Sequence, residues 1–140
     1  MKPWVVYAII SMFFAGCTSV IAKLGLDGIS GDLGLTVRTA IVFLLVVVFA
    51  AFAVPATQWT DLTGNNYLWL GLSGITTTLS WIFYYKALKQ GEVSTIAIID
   101  KGSMVVDVLL AFFILKEQIT LKTILGGALM IIGLLVIAIK

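Results

Sequence analysis

The chain has 140 residues and a net charge of +2, with 61% apolar and 11% charged side chains. Soluble domains hold roughly 45–50% apolar and about 25% charged residues, so lipid rather than water must solvate most of this chain. The small, scattered charge leaves no footprint for nucleic acid; with no His and one Cys, Cys17, the material for a metal centre, a disulfide framework or ordinary acid–base catalysis is missing.

Crossing ~30 Å of hydrocarbon takes about 20 helical residues. Five segments qualify, near 4–24, 34–54, 66–86, 93–115 and 120–139, within one domain over 1–140. The first opens "MKPWVVYAIISMFFAGC", which also reads as a lipoprotein leader ending at Cys17. Its single Lys, the bulky Phe14 and the apolar continuation "TSVIAKLGL" favour a retained helix. Gly16-Cys17 then offers a small surface for helix packing. Lys23 lies late in this span. After "LDGISGD" the second span carries Arg38 early.

"PATQWTDLTGNN" leads to the third span, where Gly71 and Gly74 with Thr76, Thr77, Thr78 and Ser80 suit internal packing, with a polar cavity wall as the rival use. Trp4, Tyr7, Trp59, Tyr67, Trp69, Tyr84 and Tyr85 fall near span ends, as an interfacial belt does. Trp81 lies one turn deeper, where it can line a cavity. "LKQGE" and "KEQIT" flank the fourth span. Short loops make neighbouring spans antiparallel. The expected fold class is all-α integral membrane, a bundle of five transmembrane helices, multi-pass in the cell (inner) membrane.

The fourth span, "TIAIIDKGSMVVDVLLAFFIL" from residue 95, holds Asp100, Lys101 and Asp107. One such charge near a span centre costs about 2.5–3.5 kcal/mol. Three cost about 8–10 kcal/mol, and the Val, Ile, Leu and Phe of 93–115 return about 4–8 kcal/mol. The segment therefore depends on neighbours, protonation or water. As a continuous helix it puts Asp100, Ser103, Asp107 and Ala111 on one face, the carboxylates about 10 Å apart. Lys101, turned ~100° from Asp100, is expected to reach another neighbour, although the adjacent pair can also neutralise itself. Two readings stand. One is a buried ion-pair network with Lys23 and Arg38; the other is a substrate or proton path, since desolvation favours a protonated carboxylate. Asp107 has no basic residue at i±3 or i±4 and leans to the second.

"SWIFYYKALKQGEVSTIAIIDKGS…LLAFFILKEQITLKTILGGALMIIG", with "AGCTSVIAKLGLDGIS" and "TVRTAIV" before it, resembles the EamA domain of the drug/metabolite transporter superfamily. The resemblance runs from about residue 4 to 139 and is most specific from Trp81 to Thr120. It is closest to the single-domain, five-helix bacterial and archaeal branch. The family usually has Pro where this chain has Ile98, a large apolar residue at Gly102, an apolar residue at Asp107, and Gly-Glu where Lys116-Glu117 stand. Gly102 is expected to supply here the flexibility that Pro supplies there.

Family members typically carry two such domains in opposite orientations. The resemblance implies a secondary transporter, similar in fold to exporters of amino acids, metabolites and toxic cations, and needing a partner half. The simplest partner is a second, inverted copy. Charge allows it: Lys2, Lys116 and Lys122 share one membrane face, and Lys86, Lys89 and Lys140 the other, with Lys23 and Arg38 near it. That bias is weak under the positive-inside rule. Gly126 and Gly133 lie seven apart on the last span, resembling the glycine spacing that the superfamily's small multidrug exporters use for antiparallel pairing. Packing within one subunit is the rival.

The expected mechanism is alternating access by a homodimer that exports a small-molecule substrate, coupled to protons. Trp81 and Tyr85 supply aromatic surface, Asp107 and Asp100 select charge, Ser103 shares their face, and Lys101, Lys23 or Arg38 are counter-charges. The rival is a non-transporting or hetero-oligomeric subunit that needs another half-transporter. Neither an enzyme nor a cofactor is expected.

Overall fold

A computed structural model describes residues 3–138. Lys2 and Lys140, counted in the charge bias, lie outside the described residues. Six α-helices follow in order: α1 Pro3–Gly25, α2 Gly31–Ala53, α3 Gly64–Gln90, α4 Val93–Asp100, α5 Ser103–Phe113 and α6 Leu121–Ala138. A short 3-10 helix, Ala56–Asp61, occupies the loop before α3. No strand occurs among the described residues.

The helix ends are set by local chemistry. Gly28 turns the chain after α1 with φ +70°, a conformation glycine adopts without strain. Ser30 caps α2 by accepting from the Leu33 N–H at 3.2 Å. Thr63 and Asn66 cap α3 reciprocally: the Thr63 N–H donates to Asn66 Oδ1 at 3.1 Å and the Asn66 N–H to Thr63 Oγ1 at 3.4 Å. The Thr123 N–H donates to Thr120 Oγ1 ahead of α6. After α5, Lys116 takes φ +54° and the Glu117 N–H reaches back to the Ala111 carbonyl. That left-handed residue stands where the resemblance expects Gly.

By length and composition α1 and α2 can each cross a membrane. α3 is longer, at 27 residues, but carries Asn, Ser, Thr and Gly along it. α6 is apolar over Leu121–Ile137. Large apolar side chains face outward on every long helix, Phe52 on α2 being 89% exposed. Soluble monomers rarely show such continuous apolar surface.

The expected fourth span is not one continuous helix. α4 ends at Asp100 and α5 begins at Ser103. Between them the Gly102 N–H donates to Ile99 O at 2.9 Å and the Met104 N–H to Lys101 O at 3.2 Å. These i to i−3 bonds tighten the chain into 3-10 geometry, about 120° per residue instead of ~100°.

The described chain divides into two compact units. One comprises residues 21–90: the last turn of α1 with α2 and α3. Its buried apolar residues are Leu26, Leu35, Tyr85 and Leu88. The other holds residues up to Val20 and those from Gly91 onward; in it α4 and α5 pack on α6.

Candidate substrate site

Within residues 21–90, α2 and α3 meet closely near Tyr85. A Cβ on Gly31 would lie 2.8 Å from the Tyr85 carbonyl oxygen, so only glycine permits that approach. The ends of α1 and α3 cap each other. Lys23, in the last turn of α1, donates from Nζ to the Leu88 carbonyl. Lys89, in the last turn of α3, donates to the Leu26 carbonyl at 3.0 Å. Each ammonium meets the negative end of the other helix, where a cation is stabilising. Lys23, expected as a counter-charge, thus has a structural engagement here.

This fit brings Arg38 to α3. Its guanidinium carbon lies 4.3 Å from the Trp81 ring centroid and 5.8 Å from that of Tyr85. A cation so placed gains about 0.5–2 kcal/mol, the upper end when desolvated. The Arg38 Nη1 is buried without a hydrogen-bond partner. Tyr85 is itself buried, which removes it from the interfacial belt. Trp4, Tyr7, Trp59, Tyr67 and Trp69 are exposed and fit that belt.

On the other side of the α2–α3 seam runs a groove of about 770 Å³. Asp32, Thr36 and Thr39 line it from α2, and Thr78, Ile82 and Lys86 from α3. Lys86 Nζ lies 3.8 Å from Asp32 Oδ1, both side chains more than half exposed. Sequence reasoning passed over Asp32, Thr36 and Thr39. Their i, i+4, i+7 spacing on an apolar helix was the available signal.

Within residues 21–90 the third-span glycines Gly71 and Gly74 lie outside the α2–α3 contact. A Cβ on Gly71 or Gly74 would meet nothing within 4 Å. Thr76 and Thr78 turn their hydroxyls onto carbonyls of their own helix, at Ser73 and Gly74. Thr78 also lines the groove, which is the cavity-wall use.

In the other unit, Lys101 Nζ lies 3.7 Å from Asp100 Oδ2. Lys101 thus pairs with its own neighbour rather than reaching elsewhere, because its long flexible stem spans the angle between adjacent side chains. Both are partly exposed, and such a pair contributes little stability. A Cβ on Gly102 would lie 2.9 Å from Ile99 O and 3.4 Å from a Leu134 methyl on α6. Ser103 opens α5, and Ser103 and Asp107 are both exposed. Gly126 and Gly133 on α6 face open space: a Cβ on either would meet nothing within 4 Å.

Comparison with known proteins points one way. The model of the EamA-like transporter family matches residues 2–139. An "Uncharacterized transporter in cobO 3'region" of Sinorhizobium sp. is 34% identical over 141 residues, spanning 99% of this chain and 98% of the relative. No solved structure matches.

Proposed function

This chain belongs to the EamA-like transporter family, and from that premise we propose that it is a secondary transporter which exports a small solute by alternating access, coupled to protons. An all-helical member of a transporter family is a membrane transporter of the drug/metabolite superfamily. The finer reading rests on one observation. The most heavily charged apolar segment is also the interrupted one: α4 and α5 part at Lys101–Gly102, with Asp100 beside the break and Asp107 four residues past Ser103. Broken helices with ionisable residues at membrane depth are how transporters build substrate and ion sites.

In this reading α4 and α5 together make one crossing, so the chain crosses the inner membrane five times as a single domain. Asp107 carries the coupling. A carboxylate that must lose its proton before it binds a cationic group of the solute makes proton and solute compete for one group. Asp100, paired with Lys101, marks the break, and Ser103 offers a hydroxyl on its far side. Flux in proteoliposomes across a range of pH gradients tests this. The Asp107→Asn protein is expected to lose its pH dependence, and an unchanged pH profile removes Asp107 from the coupling step.

The working unit is an antiparallel homodimer, in which a second copy supplies an inverted half. The open faces at Gly126 and Gly133 support close approach of a second α6. Cysteines placed singly at Asn65 and Gln90, in a Cys17→Ser background, sit near opposite ends of α3, about 40 Å apart. Half labelling of each by an impermeant reagent in intact cells is the expected result. Labelling of one site alone would favour a second reading, in which another protein supplies the inverted half.

A further inference from the structure

Arg38 is a half-buried cation with no ion pair among the described residues. It lies in the third turn of α2, about 10 Å from the helix start. Its guanidinium carbon lies 4.3 Å from the Trp81 ring centroid and 5.8 Å from that of Tyr85. A guanidinium carries its five N–H donors in its own plane as a rigid fork. One end of that fork, Nη1, is closed off from solvent with no acceptor. Buried donors are normally satisfied, and an orphan on a charged group is costly.

The acidic residues of the same unit do not answer it. Asp32 pairs with Lys86 across the seam. Asp27 is exposed in the turn after α1. Asp61 precedes α3, and Trp81 lies about 25 Å along that helix from its start. No ion pair of Arg38 forms among the described residues.

We propose that Arg38, held on the Trp81–Tyr85 platform, binds the carboxylate of the transported solute. This deepens the transporter reading and rests on it. A guanidinium fork matches a carboxylate in charge and in planar, two-point geometry. A phosphate monoester, with nearly two charges, would call for a second cation. The lysines nearest this end of α3 are engaged: Lys23 and Lys89 on the carbonyls of Leu88 and Leu26, and Lys86 on Asp32. The phosphodiester of an anionic lipid carries the same single charge and is the competing source of the same chemistry.

The test is binding to the purified full chain in neutral detergent. Changing Trp4, Trp59 and Trp69 to Phe leaves Trp81 as the sole tryptophan and a fluorescent reporter. The probes are acetate, benzoate and L-phenylalanine, each titrated beside its amide. At least one carboxylate, and not its amide, is expected to perturb Trp81 saturably. Arg38→Gln should weaken that binding about tenfold to a hundredfold, and Arg38→Lys should retain part of it. Should Arg38→Gln fail to fold, the carboxylate-against-amide shift in melting temperature of the unaltered chain decides instead.

Equal action of acids and amides, or full binding by a folded Arg38→Gln protein, overturns the proposal. So does a response to phosphatidylglycerol in mixed micelles with none to a soluble carboxylate, which identifies a lipid headgroup. Proteoliposome flux separates the two levels. Flux of a cation without carboxylate binding discards the Arg38 site and leaves a transporter. Arg38-dependent binding without flux of any probe keeps the site and discards transport of these carboxylates.

Discussion

Gly31 and Gly102 both stand where a Cβ would strike a carbonyl oxygen, at 2.8 Å from Tyr85 O and 2.9 Å from Ile99 O. The oxygens differ in kind. Tyr85 O belongs to another helix, so Gly31 sets how closely α2 approaches α3, and with it whether Arg38 reaches Trp81. Ile99 O lies three residues back on the same stretch of chain, so Gly102 sets the local path between α4 and α5. The α2–α3 region is closed by packing, by lysines on opposing helix ends and by a stacked guanidinium. The α4–α5 region carries its charges on an interrupted helix. One glycine serves rigidity and the other serves bending.

The largest effect should come from Gly31→Val. Its side chain drives into a helix backbone that cannot yield cheaply, and overpacking of this kind costs about 1–3 kcal/mol. A lowered melting temperature in detergent, with Trp81 moved to a more polar emission, is the expected outcome. Lys116→Gly should act in the opposite direction. Relief of a left-handed non-glycine residue is worth about 1–2 kcal/mol, read as a raised melting temperature with no change in flux. Gly102→Ala should change stability by less than about 1 kcal/mol, because better helix propensity offsets the crowding, while flux falls. If it instead melts as early as Gly31→Val, the contrast between the two glycines is wrong. The smallest effect belongs to Asp32→Asn. An exposed ion pair contributes about 0–1 kcal/mol, so a melting curve within error of the parent is expected.

Much of the fold was legible before any coordinates. The turn-forming stretch "LDGISGD" holds both Gly28 and the Ser30 cap, and "TGNN" sits in the Thr63–Asn66 cap. The weak point of the fourth segment was visible in Gly102. The site was legible only in part. Arg38, Trp81 and Tyr85 could each be singled out, but not as one cluster. That Lys23 meets the Leu88 carbonyl and that Arg38 meets the rings of Trp81 and Tyr85 could not be read from the sequence. Asp32, Thr36 and Thr39 were missed, although their spacing was available.

Composition and local pattern alone determined the solvent of this protein and most of its helices, though not the stop at Asp100 that divides the fourth segment. Those depend on apolar content, on hydrogen bonds three or four residues apart and on which residues tolerate a turn. Tertiary structure decided which polar groups meet. That depends on where α3 crosses α2, a distance fixed by the missing Cβ of Gly31 and by cross-capped helix ends more than sixty residues apart. No local rule carries such information, since a side chain's partner across a seam is set by the approach of two backbones and not by its neighbours in sequence.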